Sequence, residues 1–140
     1  MAHHPDRDAT YFQAAGEGTL PGLLGIRVTE VGDGYLKAEL PIRRDLFAPN
    51  GFLHGGTLVA LADTAAGYAC LAMLPEGATS FTTLELKTNF VGTVREGTLL
   101  CEARSVHLGR TTQVWDATIS APGGKTLAVF RCTQLIIYPR

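Results

Sequence analysis

Residues 50–74 read NGFLHGGTLVALADTAAGYACLAML. The stretch opens on a turn sequence, passes through His54, Gly55 and Gly56, and then runs apolar with a single carboxylate, Asp63, inside it. It lacks proline until Pro75 and is rich in alanine and leucine, which predicts a helix of about five turns starting near Gly56 and ending at Pro75. Apolar residues lie almost all round this helix, so it belongs in an interior rather than on a surface.

Gly56 and Asp63 share one face two turns apart, and Val59, Ala60, Gly67 and Cys70 extend that face with mostly small side chains. Another backbone can approach closely there. An ionised aspartate on such a face is costly unless it is paired, hydrogen-bonded or reached by water. The two glycines give it a chemical context. A helix N-terminus exposes unpaired backbone N–H groups carrying partial positive charge, and glycine lets a ligand approach them, so Gly55 or Gly56 suits the polarisation of a carbonyl oxygen such as that of a thioester. At about 1.5 Å per residue, Asp63 lies roughly 10 Å along the axis from Gly56, too far to serve the same carbonyl from the same helix. Two copies of the helix running antiparallel across a two-fold axis would bring the N-terminus of one to the middle of the other, in a site shared between subunits.

The pattern NGFLHGGTLVALADTAAGYAC resembles the signature of hotdog-fold acyl-CoA thioesterases of the phenylacetate-pathway (PaaI-like) type, and the similarity runs from about residue 20 to the C-terminus. The resemblance implies an α+β hotdog fold: one long central helix wrapped by a curled antiparallel sheet of about six strands, with subunits pairing through their sheets as a dimer or a dimer of dimers. It implies Asp63 as nucleophile or general base and the Gly55 or Gly56 amide as electrophilic donor. The substrate would be an acyl-CoA hydrolysed to free acid and CoA, with coenzyme A as part of the substrate and no metal or redox cofactor. Many relatives carry an amide residue seven positions before the first glycine of the motif; that position here is Ala48, and Asn50 follows two residues later, as turn former or as site residue. His54 is placed either to cap the helix with a ring N–H or to contact the substrate carbonyl. A Ser or Thr near the start of the next strand helps position the acid or water in the family, and Thr83 aligns best, with Thr82 its neighbour. Basic residues near a hairpin tip hold the nucleotide end of CoA in relatives. Arg110 is the first candidate here, with His107, Gly109 and Lys125 beside it.

The rest of the chain fits one ordinary domain: 140 residues, 46% hydrophobic, with a net charge of −1 that gives no electrostatic case for nucleic acid or an anionic membrane. Cys70, Cys101 and Cys132 are odd in number and set in apolar strings, which points to reduced core thiols in a cytoplasmic protein. Residues 1–10 are polar, neither signal peptide nor anchor, and make His3 and His4 exposed tail residues. We divide the chain into an N-terminal tail with a short helix over 1–19 and a single hotdog thioesterase domain over 20–140. Segments 23–31 and 35–41 read as a hairpin joined by Gly32-Asp33-Gly34, and 79–94, 97–108, 111–121 and 126–138 as four further strands. Alternation along FTTLELKTNF sets Thr83, Glu85, Lys87 and Asn89 on one side. Trp115 reads as a packed strand residue or an interface anchor. The acyl group stays open among aryl, arylacetyl and medium-chain classes. The rival reading is a non-catalytic acyl-CoA-binding or ligand-sensing hotdog module; hydration chemistry lacks the histidine that should follow Asp63.

Overall fold

The computed structural model describes residues 3–140. The alanine- and leucine-rich run forms an 18-residue helix, α3 (Gly55–Ala72), and buries Leu58, Leu61, Ala62, Ala65, Ala69 and Ala72 at helical spacing. A six-stranded antiparallel sheet curls round it in the order β1-β2-β4-β5-β6-β3. Its strands are β1 (Arg27–Gly32), β2 (Tyr35–Pro41), β3 (Ser80–Phe90), β4 (Thr98–Leu108), β5 (Thr112–Ser120) and β6 (Thr126–Ile137). Two short helices, α1 (Ala9–Ala15) and α2 (Leu20–Leu24), precede the sheet. Strand alternation turns Leu36, Leu40, Leu99, Trp115, Ile119 and Leu127 onto the helix, where each is essentially fully enclosed; burying a large apolar side chain contributes about 1.5–3 kcal/mol. This is the hotdog architecture that the resemblance implies. Among the described residues no helix is long and apolar enough to cross a membrane.

The first hairpin turns where the sequence places it, over Asp33-Gly34, with Gly34 at φ +77°, a conformation that favours glycine. Residues 23–26 correct the reading of a strand from position 23. Pro21 in the first turn and Gly25 in the left-handed conformation at the C-cap frame one turn of helix instead. The long helix also stops earlier than Pro75, at Ala72, because its last carbonyls are taken from outside: the buried Gln113 amide donates to Met73 O at 2.8 Å, and His4 N donates to Ala72 O at 2.9 Å.

That last bond corrects the reading of His4 as an exposed tail residue. The segment before α1 closes the C-terminal end of α3: the His4 ring bonds Leu74 O at 2.8 Å and the Arg7 guanidinium donates to Leu71 O. A cation at a helix C-terminus meets both the orphan carbonyls and the negative end of the dipole. Phe12 of α1 is 1% exposed and stacks on Tyr68 of α3 at 4.7 Å between ring centres, so the N-terminal segment shares the main core. We expect Arg7→Ala to lower stability by about 1–2 kcal/mol in chemical denaturation, the worth of a charged hydrogen bond at a helix end, with kcat unchanged.

β3 departs from simple alternation. Thr83 pairs with Gln134 and Glu85 with Thr133, so Leu84 is an extra residue, a β-bulge. The bulge reverses the phase: Phe81 and Thr83 face the helix before it, and Leu86, Thr88 and Phe90, opposite buried Cys132, Phe130 and Ala128, face it afterwards. Thr83 therefore does not share a side with Glu85, Lys87 and Asn89. β3 is also a sheet edge, and Leu84 and Phe90 remain more than half exposed.

Candidate active site

The loop before α3 is tied to the helix it introduces. Ala48 N donates to Phe52 O at 2.7 Å, His54 N to Leu46 O at 3.0 Å, and the Thr57 hydroxyl to Leu46 O at 2.9 Å. Asn50 sits on the exposed tip, its Oδ1 accepting from Phe52 N at 3.2 Å, the local bond of an Asx turn. The structure thus uses Asn50 as a turn former. These ties fix His54 as the N-cap of α3, with extended backbone at φ −64° and ψ 131°.

The His54 ring caps by accepting, not by donating: Gly56 N–H points to Nδ1 at 2.8 Å. A helix N-terminus offers donors and needs an acceptor, which reverses the expected ring N–H cap. With Nδ1 accepting, the proton of the neutral ring lies on Nε2. Gly56 N–H is thereby occupied, whereas Gly55 N–H, the first of the helix, has no partner among the described residues. Between the two candidate donors, Gly55 is the one left open. The Phe90 ring of β3 lies against it, close enough that a Cβ on Gly55 would meet Cζ at 3.0 Å.

Asp63 is half-buried on the same helix, and its Oδ1 is enclosed with no hydrogen-bond partner among the described residues. Burial pushes its carboxyl above the ordinary range, with no compensating cation among the described residues. One turn on, Gly67 lets the Phe81 ring lie directly on the helix; a Cβ there would meet Cζ at 2.9 Å. Next to Phe81, Thr83 donates to Gln134 Oε1 at 2.7 Å, and Gln134 Nε2 donates to Cys132 Sγ at 3.4 Å. Cys132 and Gln134 escaped the sequence reading because nothing short of the strand register places β6 opposite Asp63.

The basic candidates do not lie together. Arg110, His107 and Gly109 stand at the β4–β5 turn, at the end of the sheet where Gln113 meets the C-terminus of α3; the Arg110 guanidinium covers the Tyr138 ring at 5.8 Å. Lys125 is at the opposite end: a Cβ on Gly92, two residues beyond Phe90, would meet its Cε at 3.0 Å. Within one protomer, only Lys125 is on the Gly55 side. A groove of about 730 Å³ beside the pre-helix loop, lined by Arg43, Arg44, Phe47, Ala48 and Arg95, adds three arginines to that side.

The arrangement of a donor-bearing helix mouth, a buried carboxylate further along the same helix and an enclosing sheet has known counterparts. Residues 50–128 match the thioesterase superfamily model, which begins at Asn50, where the turn before the helix starts. A 1,4-dihydroxy-2-naphthoyl-CoA hydrolase of Escherichia coli is 36% identical over 129 residues, covering 90% of this chain and 92% of that protein. A thioesterase structure from Pseudomonas aeruginosa superimposes with a TM-score of 0.91 at 31% identity, over 98% of this chain and 99% of the other. The PaaI protein of the E. coli phenylacetic acid degradation operon does so with a TM-score of 0.80 at 28% identity, over 89% of each chain. Sequence, sheet order and helix placement agree, and the chain belongs to the thioesterase superfamily as a hotdog-fold thioester hydrolase.

Proposed function

We propose that the chain hydrolyses an aryl-, arylacetyl- or medium-chain acyl-CoA at a site shared between two copies. One observation carries the sharing: Gly55 N–H is open and Asp63 Oδ1 is unpartnered, yet eight residues of helix put them about 12 Å apart. A single thioester carbon cannot be reached by both from one helix. Two copies with antiparallel helices bring Gly55 of one to Asp63 of the other. The same two-fold carries Arg110, His107 and Gly109 from the far end of one sheet toward the Gly55 mouth of its neighbour, where a guanidinium suits the phosphates of CoA. Lys125 and the grooved side with Arg44 and Arg95 then belong to the copy that supplies Gly55.

In this reading Gly55 N–H, aided by the helix terminus and by His54 Nε2–H, bonds the thioester oxygen as it becomes an oxyanion. Asp63 of the second copy takes the proton of an attacking water and passes it to the departing sulfur, so that the acid forms and CoA leaves as the thiol; or it attacks the carbonyl carbon itself, expelling the thiolate and forming an acyl anhydride that water then cleaves, with a proton of that water going to the sulfur. Thr83 serves the acid from behind and not from the solvent face. The bicyclic aryl-CoA named for the E. coli relative supports the aryl class among the acyl groups.

Subunit mixing tests the shared site. Asp63→Asn and Gly55→Pro proteins, each inactive alone, are unfolded and refolded together, and thiol release from aryl-CoA is followed. A mixed dimer holds one intact site in two, so about a quarter of the parent activity should return from random pairing. No recovery from mixed dimers of confirmed composition would place both groups in one protomer's site. Retained acyl-CoA binding with no turnover by the parent protein would favour the binding module.

A further inference from the structure

The turn between β4 and β5 holds Gly109, Arg110 and Thr111, and Gly109 N donates to Thr112 O at 2.9 Å across it. Arg110 is exposed at this tip, where a long side chain keeps most of its rotamer freedom until something binds it. β6 lies beside β5 and is tied to the same turn by Ile136 N, which donates to Thr111 O at 2.9 Å. The chain leaving β6 therefore passes the tip, and its first residue there is Tyr138. The Tyr138 hydroxyl donates to the Arg110 carbonyl at 2.6 Å, and the Arg110 guanidinium carbon lies 5.8 Å from the centre of the Tyr138 ring, within cation–π reach. The ring is itself anchored. Tyr138 is half-buried against the core and passes Gly77, where a Cβ would sit 3.9 Å from Tyr138 Cδ1.

Arginines on the strands are held differently. Arg27, Arg104 and Arg131 each pair with a carboxylate, of Glu39, Glu102 and Asp116, which steadies the guanidinium but offsets its charge and takes up N–H groups. Arg110 has no carboxylate partner among the described residues. An aromatic ring steadies a guanidinium without neutralising it, and the N–H fork stays available to an anion. We infer that Tyr138 is a positioning residue for the nucleotide end of CoA: it fixes the turn through the Arg110 carbonyl and carries the guanidinium on its ring, so that a charged fork meets the phosphates already ordered. The inference rests on Arg110 meeting the phosphates of CoA, as in the proposed function. Tyr138 touches no reacting atom, so it acts on substrate capture and not on the chemical step.

The test compares thiol release from an aryl-CoA with release from the same aryl thioester of pantetheine, which carries no phosphate. Tyr138→Leu keeps apolar bulk on the core and removes both ring and hydroxyl. It should raise KM for the aryl-CoA by about 2–10-fold, the cost of immobilising one rotamer-rich side chain on binding, with kcat unchanged and the pantetheine ester unaffected. Arg110→Ala should raise the same KM by about 10–100-fold, the worth of a charged hydrogen bond. Adding Tyr138→Leu to Arg110→Ala should change nothing more, because the tyrosine acts through the arginine. A merely structural role predicts another pattern: both esters affected alike, or a Tyr138→Leu effect that persists without Arg110, would overturn the inference. If Tyr138→Leu does not fold, Tyr138→Phe, which loses only the hydroxyl, should show the same selective rise at smaller size, and a parental KM there overturns the two-point hold. A parental KM in Arg110→Ala would instead remove Arg110 from the nucleotide end in the proposed function. A raised KM in Arg110→Ala beside a parental KM in Tyr138→Leu overturns the inference alone.

Discussion

Asp63→Asn is expected to lower kcat by about 10²–10⁴-fold, the usual contribution of a positioned acid–base group, and at the same time to raise the melting temperature at neutral pH. Both effects follow from one fact. The carboxyl is half-buried with Oδ1 enclosed and, among the described residues, no cation beside it, and burial raises its pKa above the ordinary 3.8. The sign of the stability effect is fixed by linkage. Below the ordinary carboxylate value Asp63 is protonated in both folded and unfolded chains and imposes no ionisation penalty. As pH rises from there through the raised folded pKa, the unfolded chain ionises first, and the folded state is progressively disfavoured. Asparagine, neutral throughout and nearly the same shape, escapes this penalty. Melting curves of parent and variant should therefore converge at low pH and separate at neutral pH with the variant higher. A carboxylate retained at such a cost to stability is the pattern of a functional group. Equal melting at all pH values would mean that Asp63 is compensated in the working assembly, and unchanged turnover would remove it from the mechanism.

Gly55→Pro should lower kcat/KM by about 10²–10³-fold, the cost of one oxyanion donor, while leaving the helix intact. Gly55 is the first residue of α3, the position where proline is best tolerated because its missing N–H has no helical partner to lose. His54 before it already has the extended backbone that proline requires of its predecessor. The ring will press on Phe90, whose side chain is half-exposed at a sheet edge and has room to swing. Gly55→Ala is the control: it displaces the same ring but keeps the N–H, and should lose far less activity. Circular dichroism separates loss of chemistry from loss of helix. If proline and alanine variants turn over alike, the donor lies elsewhere, and Gly56, freed from the His54 ring, becomes the first alternative.

The helix, the hairpin at Asp33-Gly34 and the six strands were legible because each is written in local chemistry: an alanine-rich run between a turn and a proline, a Gly-Asp-Gly turn, alternation punctuated by glycine. Asp63 stood out for the same reason, one charge in an apolar run. What escaped depends on contacts distant in sequence. His4 and Arg7 look like tail residues until α3 ends beside them. Cys132 looks like any core thiol until β6 is laid opposite Asp63. Between Gly55 and Gly56, two identical letters, only the cap geometry of His54 makes a difference. The separation of Arg110 from Lys125 likewise needed the sheet order, since hairpin tips at opposite ends of a curled sheet look alike in one dimension.

The extra residue at Leu84 also bears on which genetic changes this gene can absorb. Substitutions along the outer side of β3, where Glu85, Lys87 and Asn89 are exposed, leave the register alone. Loss of a single codon is another matter. Deleting Leu84 would heal the irregularity into a plain strand, and the two halves of β3 could no longer both keep their inward residues inward. Either Phe81 and Thr83 would leave the Asp63 side, or Leu86, Thr88 and Phe90 would leave the mouth of the helix. One codon thus sets the spacing between the two ends of the proposed site, and deletion at position 84 should cost far more than substitution at Glu85, Lys87 or Asn89.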